Sequence, residues 1–534
     1  MSTLTIARLT HVLRVLAFCA ATLLACGCAP TIAPALQPHA PDANALSRTL
    51  ADAPQSASAN AWPAPDWVRQ FGDPQLDQLV AEAYAHNPDL QVAKARIGIA
   101  QSQLQQFSSL TGLTATAGAS VNKARMPQSN GVANVSANGY EVPVQLFGNP
   151  VQSPSSIFLG LDYQLDLWGR NAAATRGLLS LRDAARVDAE QARLTLAVAI
   201  VSLYCDLDQA YALHDLLVEK RDASDQITAV LRERAARGID NGYDADDAAV
   251  RRNKLITQIE LADERIRLAQ LQLGVLSGGG PERGLTLTRP RPANLASLAD
   301  QPLPARLSAD LLGRRPDIVA ARLRVEAAYA AIDGTRAEFY PDVNLVGFAG
   351  LLALTPGAMF SRQALAGSIG PAVSLPIFDR GRLKAKLSGD AASADVAIGL
   401  YNKTIDAALG DVARTLVSLS TVDRLVSGER DAADAAQRYV SIAEERHRRG
   451  LLMQKDVNTA RLTLYDERAQ LIDLQAQQRT LRVALIGALG GGFDERTLPG
   501  PAISRFDVAF PSHDRLTDRT TDRLTDRVTT ARFN

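Results

Sequence analysis

The sequence predicts an α+β protein that is mainly α-helical and is built from two copies of one large unit. Gly238 recurs as Gly450 at an offset of 212 positions (450 − 238 = 212). Long stretches without proline predict helices, and short stretches of alternating apolar and polar residues predict strands. A repeat this long indicates duplication of one large unit rather than a solenoid of short repeats. Two further landmarks share the offset: Trp168-Gly169-Arg170 with Arg380-Gly381-Arg382, and Gly278-Gly279-Gly280 with Gly490-Gly491-Gly492.

The N-terminus predicts export followed by lipidation. Residues 1–25 combine a positive start with a short apolar run, which indicates a signal peptide, because a membrane helix needs about 20 apolar residues. No later apolar stretch reaches that length. The run Leu23-Leu24-Ala25-Cys26 resembles a bacterial lipobox, in which the cysteine carries diacylglycerol and palmitate and becomes the first mature residue. Cys28 is the alternative attachment site; a disulfide between Cys26 and Cys28 is a third interpretation, although cysteines this close fit bridge geometry poorly.

Composition divides the rest of the chain. Residues 26–64 are rich in Ala, Pro, Ser and Asn and predict an extended tether. The first repeat covers 65–280 and the second covers 309–492, with a proline-rich linker at 281–308. Residues 493–534 repeat Asp-Arg-x-Thr, a low-complexity pattern typical of a disordered tail.

Each copy contributes two predicted strands that follow shorter helices. In the first copy the strands are 114–121 and 158–167, and the second of them alternates leucines with Gly, Asp and Gln, as a half-buried strand does. Residues 122–156 between them predict a long loop. The second copy repeats the pattern at 343–348 and 372–378. Its loop is shorter, which accounts for the 16 extra residues of the first copy: Asn87-Pro88-Asp89-Leu90 and Arg315-Pro316-Asp317-Ile318 are 228 positions apart (228 − 212 = 16).

Each copy also contains a predicted helical hairpin. Tracts of about 60 residues at ~1.5 Å per residue would span roughly 90 Å, so they must lean on similar helices. Each tract stops at Arg-Gly, where glycine suits a helix end, and resumes at an aspartate that could cap the new helix. The tips are therefore placed at Gly238 and Gly450. The predicted tracts are 171–235 and 244–276 in the first copy, and 383–449 and 456–489 in the second.

Composition and motifs argue against several classes of function. The formal net charge of +0 gives no electrostatic case for nucleic-acid binding. The 4 cysteines and 6 histidines form no disulfide framework, zinc spacing or nucleophile–base–acid set, so we expect no enzymatic activity, metal or cofactor. Gly278-Gly279-Gly280 lacks the Lys-Ser/Thr of a phosphate loop and is interpreted as a helix stop. His447 is interpreted as part of a solvated helix face, and Cys205 as a small core residue.

Four strands cannot close a barrel, and an open edge in lipid leaves backbone groups without partners. Known outer-membrane barrels begin at about eight strands. If these strands span a membrane, the chain must therefore oligomerise. The alternative is a soluble periplasmic sandwich with a helical arm.

Motifs in both copies resemble the TolC/OprM family of outer-membrane efflux ducts, in its NodT-type lipoprotein branch. The resemblance implies a homotrimer whose three chains form a 12-stranded β-barrel in the outer membrane and a long periplasmic helical barrel. It also implies export of small molecules such as drugs or aromatic acids, with a periplasmic adaptor (membrane fusion) protein and an inner-membrane transporter as partners. A type I protein-secretion duct and a structural lipoprotein without a pore are the alternatives. The motifs are Phe71-Gly72-Asp73-Pro74-Gln75-Leu76, Asn87-Pro88-Asp89-Leu90, Leu165-Asp166-Leu167-Trp168-Gly169-Arg170, Arg314-Arg315-Pro316-Asp317-Ile318, Phe339-Tyr340-Pro341 and Phe378-Asp379-Arg380-Gly381-Arg382.

The resemblance also implies a periplasmic gate at the hairpin tips, lined by rings of aspartate. Asp456 matches the tip position in the second copy, and Asp244 and Asp247 match it in the first, whereas Thr459 stands where a further aspartate is common. Carboxylates crowded around one axis would attract cations and raise one another's pKa. The alternative is that these aspartates only cap helices on a solvated turn.

Overall fold

The computed structural model describes residues 30–39, 55–56, 62–125, 132–137, 140–145, 151–239, 241–291, 303–304 and 312–497. The signal peptide, Cys26, Cys28 and residues 498–534 of the predicted tail lie outside this part of the chain.

The first copy follows the predicted order of elements. A short 3₁₀ turn at Trp67–Phe71 leads into the helices, and two strands then precede the long helical hairpin. A short strand, β1 (Gln55–Ser56), comes before the copy. The elements are α1 (Pro74–His86), α2 (Pro88–Leu110), β2 (Thr114–Val121), β3 (Ala124–Arg125), β4 (Val132–Ala137), β5 (Tyr140–Gln145), β6 (Val151–Gln152), β7 (Ser155–Leu165), α3 (Arg170–Ala236) and α4 (Tyr243–Leu276).

The second copy repeats this order after a short connection. The connection contains a helix, α5 (Pro281–Leu285), which packs on α4, and a strand, β8 (Leu303–Pro304), which pairs with β1 in parallel. The elements of the copy are α6 (Pro316–Ala337), β9 (Asp342–Ala353), β10 (Leu365–Ser374), α7 (Arg380–Arg448) and α8 (Gln454–Ala488).

The four main strands form one antiparallel sheet in the order β10-β9-β7-β2. Prediction and structure agree on β2, but β10 lies at Leu365–Ser374 and not at 372–378. Its last residue, Ser374, pairs with Asp342, the first residue of β9, so the ladder ends there. Pro376 beyond it has no N–H to donate. The prediction of a plain loop at 122–156 was also wrong, because β3 pairs with β6 and β4 with β5 inside it.

The chain divides into two compact units that do not coincide with the two copies. One unit combines residues 94–186 and 320–400 with the N-terminal segment up to Gln37, and it contains the four-stranded sheet. The other combines residues 38–93, 187–319 and 401–534, and it contains both hairpin tips. Each unit therefore draws segments from both copies.

The unit with the tips has the largest apolar cluster. The predicted face of the first helices is buried there, because Trp67, Phe71, Leu76 and Leu79 are each at most 3% exposed. Among the described helices, α3 contains a window apolar enough by composition to cross a membrane, which the sequence analysis did not identify. Its apolar residues between Leu196 and Leu207 lie in this cluster. Cys205 is among them, which confirms it as a core residue, and burial raises the pKa of its thiol to about 12.

The Asn87-Pro88 and Arg315-Pro316 motifs perform the same task in the two copies. The Asn87 amide oxygen accepts from the backbone N–H of Asp89 at 2.9 Å and so caps α2, while its Nδ2 donates to the Leu276 carbonyl at 3.0 Å. In the second copy Arg315 donates to the Ala488 carbonyl at 3.1 Å and holds Asp317 with Nη2–Oδ2 at 2.6 Å. The start of one helix is thereby tied to the end of the return helix of the same copy.

Glycine makes this junction possible. Gly490 follows α8 with φ +91°, and a Cβ there would stand 2.0 Å from the Arg314 carbonyl oxygen. Gly278 occupies the equivalent place in the first copy, where a Cβ would meet the His86 carbonyl carbon at 2.6 Å. The glycine triplets therefore end helices, as predicted, and also admit another backbone at close range.

Part of the predicted tether is an ordered strap, which we define as Pro30–His39. The Leu36 N–H donates to Asp395 Oδ1 at 2.7 Å, and Arg336 donates to the Ile32 carbonyl at 3.0 Å. Ile32 also packs on an apolar cluster of α6 and α7 that includes Ile332. The strap therefore lies on the second copy.

The first copy lacks the features that hold the strap. Asp183, the counterpart of Asp395, is ion-paired with Arg182 and Arg186. At the offset of 212, these arginines correspond to Ala394 and Ile398, which leave Asp395 available to the strap amide. Gly399, whose Cβ position is 3.9 Å from Leu36 Cδ1, corresponds to the larger Val187. Side-chain differences between the copies thus account for the one-sided docking.

The junction glycine yields a first prediction. Gly450→Ala places a side chain at a positive φ in open space and should cost about 1–2 kcal/mol of unfolding free energy. Gly490→Ala meets the same strain and also a backbone clash, so it should cost about 1–3 kcal/mol more. Thermal unfolding followed by circular dichroism compares the two variants. Equal losses of stability would contradict the proposed close approach.

The strap yields a second prediction. Gly399→Val should push Leu36 off α7, and losing about 1 kcal/mol of apolar contact should speed chymotrypsin cleavage after Leu36 about fivefold. Gly389→Val on the same helix is the matched control, because nothing lies within 4 Å of its Cβ position. If both variants are cleaved at the wild-type rate, the Leu36 contact does not hold the strap.

Candidate functional site

The first hairpin tip is a tight turn closed by backbone hydrogen bonds. Gly238 has φ +71°, its N–H donates to the Ala235 carbonyl at 3.0 Å, and the Ile239 N–H donates to the Arg234 carbonyl at 2.9 Å. This double pattern is a Schellman helix end, which needs a left-handed residue. The predicted role of Gly238 is confirmed. Helix α4 then begins at Tyr243, with Gly242 as its N-cap.

The second tip closes in the same way and carries one more link. Gly450 has φ +74°, and its N–H donates to the His447 carbonyl at 2.8 Å. Met453 is the N-cap of α8, and its N–H donates to Asp456 Oδ2 at 3.1 Å. Asp456 therefore reaches back over the first turn of its helix and satisfies a backbone donor outside it.

The three predicted gate aspartates differ in their surroundings. None of them is an N-cap, because α4 and α8 begin earlier than predicted, after Gly242 and Met453. Asp244 is exposed and makes no ion pair within the described residues. Asp247 pairs with Arg251 at 2.6 Å, one helical turn along. Within one chain no hydrogen bond connects the first-tip aspartates to Asp456 in the part that the structure describes.

Other tip residues were missed or misread in the sequence. His447 is half-buried rather than solvated, and its Nδ1 lies 2.9 Å from the Leu452 carbonyl oxygen across the turn. Asn458 is fully buried, with only its oxygen bonded, to Gln454. Large apolar side chains are also exposed at both tips. They are Ile239, Tyr243, Leu451 and Met453, each more than half exposed.

The four-stranded sheet has one continuous apolar face. Directly paired residues share a face, so Leu161 lies beside Ala115 and Gly347, and Ile369 continues the row. Many of these side chains are exposed in the single chain, Ile369 by 77%. We call this set the apolar face: Ala115, Ala117, Ala119, Val121, Ile157, Leu159, Leu161, Tyr163, Leu165, Val343, Leu345, Gly347, Ala349, Leu351, Leu365, Gly367, Ile369, Pro371 and Val373.

The opposite face, which we call the polar face, carries mainly Thr, Ser, Gly, Asn, Gln and Asp. The alternation predicted for 158–167 is therefore confirmed and extends across all four strands. A sheet that is apolar on one side and polar on the other divides an apolar phase from water.

Two sequence motifs meet where the strands give way to helices. Trp168 stacks on Tyr340 with ring centroids 4.9 Å apart, and its indole N–H donates to the Pro341 carbonyl at 2.7 Å. Arg170 lies next to them, 3.4 Å from Asp342. Aromatic rings with a bonded polar edge are typical of a membrane–water boundary.

Comparison with known proteins gives a consistent family. The family model of outer membrane efflux proteins matches residues 79–279 and 307–491. The chain is 30% identical over 438 residues to the multidrug resistance outer membrane protein MdtQ of Escherichia coli O157:H7, which covers 82% of this chain and 90% of that protein. It is 35% identical over 390 residues to the fusaric acid resistance protein FusA of Burkholderia cepacia, covering 72% and 70%.

Among solved structures, the outer membrane protein VceC of Vibrio cholerae matches with a TM-score of 0.69 at 29% identity, over 81% of this chain and 100% of that chain. The two matched segments of the family model correspond to the two repeats read from the sequence. The chain therefore belongs to the outer membrane efflux protein family and has the fold of the TolC-like channels.

Proposed function

We propose that this protein is the exit duct of a tripartite efflux pump, which releases small molecules such as drugs or aromatic acids through the outer membrane. Relatives named for multidrug resistance and for fusaric acid resistance support a small-molecule cargo. The duct itself carries out no chemistry in this proposal.

The observation that carries the proposal is the four-stranded sheet with its apolar face. Lipid is the cover that suits exposed leucine and isoleucine side chains on strands of this length. In lipid the edge strands β2 and β10 need partners, because unpaired backbone groups there cost several kcal/mol each. Three chains with four strands each would close a 12-stranded barrel, with the apolar face toward lipid and the polar face toward a water-filled lumen.

The hairpin tips support contacts with other pump components. Exposed Ile239, Tyr243, Leu451 and Met453 offer apolar surface beside charged side chains, as protein interfaces do. We assign this surface to neighbouring protomers and to a periplasmic adaptor, which would join the duct to an inner-membrane transporter that supplies the energy.

A lipid anchor at Cys26 fits the position of the strap. Cys26 precedes Ile32 by six residues, and a chain extends by at most ~3.6 Å per residue, so the anchor would lie within about 22 Å of Ile32. Ile32 contacts α6, which ends at Ala337 just before the Trp168–Tyr340 pair and the start of β9. Acyl chains at that place would enter the bilayer beside the sheet.

The gate prediction tests the duct and separates charge from capping. Wild-type trimer in planar bilayers should conduct ions and favour cations, because Asp244, Asp247 and Asp456 would surround one axis. Asp244→Asn with Asp456→Asn keeps the acceptor oxygen that bonds Met453 but removes charge, so cation selectivity and block by magnesium should fall with thermal stability intact.

Two comparisons complete the gate experiment. Asp456→Ala, which also removes the acceptor, should lower stability by about 0.5–2 kcal/mol. Asp246→Asn, in the same turn as Asp244 but outside the proposed ring, should leave selectivity unchanged. Wild-type selectivity in the double asparagine variant would mean that the aspartates serve only the local turn, and a protein without conductance would refute the duct.

The anchor prediction concerns the two N-terminal cysteines. Cys26→Ser should abolish labelling with radioactive palmitate and leave a slowly processed precursor, whereas Cys28→Ser should label normally. The reverse result would move the attachment site to Cys28. Labelling that survives in the double variant would show that neither cysteine is the anchor.

A further inference from the structure

Two phenylalanines lie on the polar face of the sheet, where their neighbours are small or hydrophilic. Phe158 on β7 pairs with Gly118 on β2 and Gly350 on β9, and Phe348 on β9 pairs with Gly160. The surrounding residues on this face are uncharged. They are Thr116, Ser120, Ser156, Asn344 and Ser368.

The two rings form a pair that lies against the sheet. Their centroids are 6.2 Å apart with an interplanar angle of 39°, and both side chains are half-buried. A Cβ on Gly118 would stand 2.4 Å from Phe158 Cζ, so the Phe158 ring lies directly over the Gly118 backbone. A ring in this position covers glycine with one side and leaves its other side toward the space above the polar face.

We propose that Phe158 and Phe348 form a contact site for planar aromatic solutes passing through the lumen. This inference rests on the proposed function, because only in a closed barrel does the polar face line a water-filled passage. A flat solute can stack on a phenylalanine ring in an offset or tilted arrangement, and nearby hydroxyls, including the Ser120–Ser156 pair at 2.8 Å, can bond its polar substituents.

The site suits transit rather than retention. Its uncharged neighbours provide no strong ionic attraction, and a conduction pathway needs binding weak enough for the solute to leave. Repeated in three chains, the pair would place six rings around the lumen.

The test compares two solutes of similar size and equal charge in planar bilayers. Benzoate should reduce the single-channel current at concentrations about three- to tenfold lower than cyclohexanecarboxylate, because only benzoate can stack. In Phe158→Leu with Phe348→Leu the two solutes should act alike. Equal effects of both solutes on the wild type, or a benzoate preference that survives in the double variant, would overturn the site.

A second variant keeps both phenylalanines. Gly118→Ala should lift the Phe158 ring from the wall and weaken the benzoate preference. Gly347→Ala on the apolar face is the control, because its Cβ would be 3.5 Å from Leu161 Cβ, an ordinary contact. An unchanged preference in Gly118→Ala contradicts the proposal, and loss of all conductance in the wild type would refute the duct and this site together.

Discussion

The fold depends on the junction between the start of one helix and the end of another within each copy. A helix start leaves N–H groups without partners and a helix end leaves carbonyls, and burial makes both costly. Asn87 and Arg315 resolve both problems with one side chain each, since each helps to cap its own helix and donates to a terminal carbonyl, Leu276 or Ala488. The glycines that follow those carbonyls, Gly278 and Gly490, let the backbones meet without a Cβ between them. The long hairpins can extend to their tips because their other ends are held in this way.

The sheet imposes the second constraint. Its apolar face cannot remain in water without a cost of about 25 cal/mol per Å² of apolar surface, and its open edges cannot remain in lipid. A single chain of this family therefore cannot satisfy its own strands, whichever phase surrounds them. Assembly is consequently the condition under which the apolar face, the polar face and the edge strands are all stabilised.

Duplication produced two similar units, and a few side chains made them different. The strap lies on the second copy because Ala394, Ile398 and Gly399 stand where the first copy has Arg182, Arg186 and Val187. The tips differ as well: Asp456 bonds the Met453 N–H, whereas Asp244 is exposed beyond a glycine N-cap. A trimer of such chains is three-fold in its details even where its helices approach six-fold symmetry.

The sequence by itself determined the repeat, the helical hairpins, their glycine tips and the alternating strands, because these follow from local periodicity and backbone preference. It also carried the family resemblance through motifs such as Arg315-Pro316-Asp317-Ile318. Only the tertiary structure decided which residues meet: the extent of β10, set by its register with β9; the His447 contact across its turn; and the docking of the strap on Asp395. These depend on groups far apart in the chain, such as Leu36 and Asp395, and no local pattern specifies such partners. For the same reason, the pairing of Phe158 with Phe348 became visible only when β7 and β9 lay side by side.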